Sequence, residues 1–138
     1  MHKTFLRLAT LLLALAVALG AFGVHGLKAL VPAEALATFK TGVLYHFLHA
    51  LALLCVGVLL YVRKTPWTVY TGWFFVAGIA CFSGSLYLLT LAKIMNLPTS
   101  ILGPITPIGG LLFIVGWLLL FASTYQTNEK RYRKSKSE

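Results

Sequence analysis

The sequence predicts an all-α fold, a bundle of four transmembrane helices with both termini cytoplasmic, and three observations carry it. Of the 138 residues 59% are hydrophobic and 11% are charged, against roughly 45–50% and about a quarter in ordinary soluble domains. The apolar residues gather into four stretches, about 8–27, 43–62, 67–91 and 108–124, each near the ~20 residues needed to cross ~30 Å of hydrocarbon. The stretches run continuously instead of alternating, which points to helices, because lipid accepts only spans whose backbone bonds close internally. The whole chain is expected to form a single four-helix membrane domain with a basic tail over 125–138.

The first stretch opens like a secretory signal: Lys3 and Arg7, an apolar run, then Ala16-Val17-Ala18 as a cleavage-like site. The uncharged run continues to Lys28, so a retained span is the expectation. Pro32 and Glu34 mark the start of the second helix, since proline suits the first turn and a carboxylate the positive end of the dipole. Nothing interrupts that helix before Val62. At roughly 1.5 Å per residue it would be about 46 Å long, so the segment 32–40 is expected in the outer interface or lying along it. Lys64-Thr65-Pro66 forms a tight turn. Pro98, Pro104 and Pro107 break the helix before the last span, which is expected to begin at Pro107. Trp67, Trp73, Tyr61 and Tyr125 lie near span ends, where aromatic residues anchor.

Basic residues set the orientation. Lys3, Arg7, Arg63, Lys64 and the tail residues Lys130, Arg131, Arg133, Lys134 and Lys136 fall on one side, and only Lys28, Lys40 and Lys93 on the other. Nine against three places both termini in the cytoplasm. The net charge is +9, and nearly half of the basic residues, five of twelve, lie in the tail, where they suit anionic headgroups rather than nucleic acid. Cys55 and Cys81 fall in mid-span and are expected to pack.

A helical wheel gives two faces of small residues in span one, Ala16, Gly20 and Gly23 on the first and Ala14, Ala18, Ala21 and His25 on the second. Span three gathers Ala77, Ala80, Cys81, Gly84 and Ser85 opposite Phe75, Ile79, Phe82 and Leu86. Small residues let backbones approach in lipid, so Ala16, Gly20, Gly23, Ala80 and Gly84 are the expected packing positions and span one the expected central helix. In span two, Tyr45, His46 and His49 share a face with Gly42, and with Thr38 and Thr41 near it. That face must turn inward, because unsatisfied donors in hydrocarbon cost several kcal/mol each.

If His25 lies at the depth of His46 and His49, three imidazoles converge in the outer half of the bundle. Such a set with Tyr45 could hold zinc or copper, a haem, or a quinone headgroup, or could relay protons. Against chemistry, no carboxylate lies inside a span and no catalytic motif is present. The ordinary alternative is that each histidine bonds a hydroxyl or a carbonyl and fixes helix register.

Five segments resemble one family: 20–28 (GAFGVHGLK), 37–43 (ATFKTGV), 49–53 (HALAL), 82–87 (FSGSLY) and 102–110 (LGPITPIGG). The chain is similar, over residues 5 to 122, to small membrane proteins grouped as domain of unknown function 423, akin to transmembrane protein 256 of animals. Relatives carry polar residues between Gly42 and His49, where this chain has apolar Leu44 and Leu48. The resemblance implies a four-helix bacterial inner-membrane protein and brings no catalytic residues.

The expected function is therefore a non-enzymatic accessory or structural component without a cofactor, contacting membrane lipids and either a second copy or a partner membrane protein. Ligand binding at His25, Tyr45, His46 and His49 is the alternative, and a small transporter, necessarily oligomeric for want of an internal charge, a third.

Overall fold

A computed structural model describes residues 2–100 and 102–125, and among them every regular element is helical. The elements are α1 (His2–His25), α2 (Ala33–Val62), α3 (Pro66–Gly78), α4 (Gly84–Ile94) and α5 (Ile105–Tyr125). A 3₁₀ turn at Leu27–Ala29 joins α1 to α2, and a π-helical turn at Ile79–Ser83 joins α3 to α4 into one rod, Pro66–Ile94. Four helical rods are thus long and apolar enough to cross a membrane. The basic tail expected over 125–138 lies almost wholly outside the described residues.

Local chemistry sets the ends of the rods. Thr65 caps α3, its hydroxyl accepting the Thr68 amide at 3.2 Å, with Pro66 in the first helical position. At the other end of the rod Asn96 takes a φ of 52°, and the Leu97 amide reaches back to the Ala92 carbonyl at 2.9 Å. Asparagine tolerates this left-handed position and so ends α4. The last helix begins at Ile105, two residues earlier than expected, and Pro107 lies within its first turn. A proline there removes only an amide that had no intrahelical partner.

α1 and α2 form an antiparallel hairpin whose register is fixed by Leu6 against Gly57, Gly20 against Val43 and Gly23 against Phe39. The segment 32–40 belongs to this hairpin: Leu36 and Phe39 bury themselves against Leu27 of the 3₁₀ turn. The central helix is α2, not α1 as the two small faces suggested. α2 packs against α1 on one side and against α3, the π turn and α4 on the other. Its most apolar stretch is 44% buried, compared with 17% for α1. α5 docks onto α3 and the π turn.

Packing works by setting aromatic rings on glycines. A Cβ added at Gly72 would lie 2.6 Å from the Phe5 ring, and one at Gly116 2.7 Å from Phe75. Phe113 of α5 covers Gly78 of α3 in the same way, so α3 and α5 exchange a phenylalanine for a glycine. Phe5, Phe75 and Phe113 belong to one core cluster with Ala9, Ala50, Leu53, Val56, Leu60 and Ile79. Of the expected packing positions, Ala16 and Gly23 are buried and Gly20 touches Val43. Ala80 and Gly84 are not packed: Ala80 is exposed, and a Cβ at Gly84 would meet nothing within 4 Å. Span three turns its bulky side inward because the recipient glycines, Gly42, Gly109 and Gly116, belong to the neighbouring helices. Ser85 is the exception in that small-residue face, buried and bonded to Thr106 at 2.7 Å.

Candidate functional site

His46 and His49 are buried near the midpoint of α2, while Leu44, Phe47 and Leu48 beside them are exposed. His49 is 6% exposed and has a partner on each ring nitrogen. Its Nδ1 donates to the Tyr45 carbonyl at 2.9 Å, and its Nε2 accepts from the Trp117 indole N–H at 3.1 Å. A carbonyl only accepts and an indole only donates, so both neighbours select the same neutral tautomer. The imidazole is stacked on Phe113 with centroids 3.5 Å apart and meets the edge of Phe75. Held this way, His49 links α2 to α5.

His46, one position round the helix toward α4, is 1% exposed. Its Nδ1 pairs with the Tyr87 hydroxyl at 3.1 Å, linking α2 to α4. Its Nε2 is buried and has no hydrogen-bond partner among the described residues. Ser83 Oγ, in the π turn, is likewise buried and unpartnered. Two more bonds tie the rods: Thr90 of α4 donates to the Ala35 carbonyl of α2 at 3.3 Å, and Ser85 meets Thr106.

The structure brings Tyr45, His46 and His49 together on α2 and leaves His25 apart. The hairpin register sets His25 level with Thr38, about eight residues or ~12 Å along the helix from His46. His25 is exposed at the end of α1. The depth argument fails because α2 pairs with α1 from its first turn, which carries His46 and His49 to mid-helix instead of the outer half. No group of three or more His, Cys, Asp or Glu side chains poised around a metal occurs among the described residues. Thr38 is half-buried and Thr41 exposed, and they bond back to the Glu34 and Ala37 carbonyls of their own helix. Tyr45 borders the polar face, 39% exposed, with its ring 4.7 Å from Phe82.

Trp117 and Tyr87 are the partners that the sequence reading missed. Trp117 stands in mid-span, away from the interfaces where tryptophan usually sits, and that displacement was the available signal. Tyr87 gave a similar one, a phenol inside an apolar run and within a segment already quoted for the family resemblance.

Comparison with known proteins agrees with the resemblance. The sequence model described as "Protein of unknown function (DUF423)" matches residues 19–110, which include His46, His49 and Tyr87 and stop short of Trp117. The chain is 45% identical over 119 residues to the UPF0382 membrane protein YwdK of Bacillus subtilis, covering 86% of this chain and 93% of that one. It is 42% identical over 125 residues to UPF0382 membrane proteins of Staphylococcus aureus and Staphylococcus saprophyticus, covering 90% of this chain and 97% and 98% of theirs. No solved structure matches the chain. Four membrane-capable helices and these matches over most of its length make the chain a membrane protein that belongs to the DUF423 family.

Proposed function

We propose that the protein is a non-enzymatic accessory or structural component of the bacterial cytoplasmic membrane, with both termini on the cytoplasmic side. The observation that carries this reading is the use of His49. A catalytic or ligand-holding histidine keeps a lone pair or a proton free for its substrate, whereas His49 spends one nitrogen on its own helix and the other on Trp117. His46 and Thr90 also join α2 to a neighbour, and an interhelical bond in a membrane contributes about 0.6–1.7 kcal/mol. The polar face then fixes which helices meet and at what depth.

An accessory role also needs a surface for another protein or a second copy. The face of the Pro66–Ile94 rod that carries Ala80, in the π turn, and Gly84, at the start of α4, points outward, and such residues admit a neighbouring helix backbone. The orientation is supported by the nine-to-three distribution of basic residues.

Native mass spectrometry of gently extracted protein, with a visible absorption spectrum of the same sample, tests the reading. The expected result is a mass equal to the chain, to an integer multiple of it, or to a complex with a second protein. A Soret band or one metal ion per chain would overturn it.

A further inference from the structure

Tyr45 differs from the other polar side chains at mid-helix. His49, His46 and Tyr87 each bond across the bundle, but the Tyr45 hydroxyl enters no hydrogen bond with any described residue. The side chain is 39% exposed, and it projects from a part of α2 that lies within the hydrocarbon if the four rods cross the membrane. Lipid tails offer a phenol no partner, and leaving its hydroxyl unbonded there costs on the order of a few kcal/mol. Exposed leucines at such positions need no explanation, but an exposed phenol does.

The surroundings define what could reach it. The Tyr45 ring lies against Phe82 at 4.7 Å and is nearly parallel to His49 and Phe113, at 6.0 and 6.3 Å. Trp117, 47% exposed, continues the patch from His49, 6.0 Å from that imidazole, and its N–H is committed to His49, so it presents only ring surface. The patch between α2 and α5 thus offers aromatic surface and a single free hydroxyl, whose stronger role is that of donor. Aromatic walls favour a flat ring, and one donor calls for an acceptor on it.

We propose that the Tyr45 hydroxyl and the exposed edge of Trp117 form a lateral site, open to the bilayer, for a lipid-soluble molecule whose flat head bears a carbonyl oxygen, as a quinone ring does. The molecule would enter from the lipid, bond Tyr45, and lie along Trp117 and Phe82. His46, His49 and His25 take no part in it. The site stands independently of the accessory role proposed above.

The test uses the full chain in phosphatidylcholine nanodiscs, with Trp67→Phe and Trp73→Phe leaving Trp117 as the one indole among the three tryptophans. Titration with a benzoquinone carrying a ten-carbon tail should quench Trp117 saturably. Tyr45→Phe keeps the ring and loses no bond to a described residue, so it should fold as the parent does and bind about tenfold more weakly, the factor that ~1.4 kcal/mol for one hydrogen bond gives. Tyr61→Phe, near the far end of α2, should leave the titration unchanged. Quenching that rises linearly without saturation, or saturable quenching equal in Tyr45→Phe and parent, would overturn the proposal. So would a dimer that Tyr45→Phe converts to monomer in the absence of saturable quenching, because a second copy would then cover the patch.

Discussion

His49 shows how a single residue can join helices that hydrophobicity cannot hold together, since lipid tails are as apolar as leucine. Replacing it with alanine removes the bond to Trp117 and the stack on Phe113 and leaves a cavity. The expected loss is about 2–4 kcal/mol of stability, read by titrating the folded protein with denaturing detergent. Trp117→Phe should cost about 1–2 kcal/mol, because it strands Nε2 of a buried imidazole. In the double variant the two losses should overlap by roughly the worth of the bond, and full additivity would mean that the contact contributes nothing. Ser83 is the opposite case. Its buried hydroxyl has no partner among the described residues, so Ser83→Ala should be neutral or stabilising in the same titration. A marked loss would reveal a bond that Ser83 makes in the membrane.

At the scale of the element, the glycines separate into two kinds that composition alone cannot distinguish. Gly109 sits against the backbone of Phe82 in the π turn, where an added Cβ would lie 2.6 Å from the Phe82 Cα. A backbone cannot swing aside as a side chain does, so Gly109→Ala should destabilise by about 1–3 kcal/mol or more. Gly84 has open space around its Cα, and Gly84→Ala should stabilise α4 by about 0.5–1 kcal/mol through helix propensity and a less flexible unfolded chain. Thermal unfolding of the two variants in one detergent makes the comparison, and equal effects would show that the α5–π-turn contact is looser than described. The small-residue face of span three misled the reading of packing for a related reason. Complementarity is a property of two surfaces, and here the small partner of each ring lies on another helix.

At the scale of the molecule, the orientation rests on the basic residues. With Cys55 and Cys81 replaced by alanine, a cysteine at Ser137 should resist a membrane-impermeant maleimide added to intact cells, and one at Thr99 should react. Labelling at 137 and protection at 99 would invert the bundle. The spans and their helical character were legible in the sequence because membrane insertion depends on summed apolar content over a window, a local quantity. The hairpin register was not legible. Treating residues 32–40 as an interfacial segment displaced α2 by several residues, and that displacement brought His25 to the depth of His46 and His49.

By itself the sequence determined the class of the protein, the number and approximate limits of its spans, and the requirement that the two histidines of α2 turn inward. Each follows from the cost of placing polar groups in hydrocarbon, which every residue carries wherever its neighbours lie. Only the tertiary structure decided which helix is central, which glycines receive rings, and which atoms satisfy the histidines. Trp117 follows His49 by 68 positions and Tyr87 follows His46 by 41, and contacts over such separations depend on depth and rotation that no local pattern encodes.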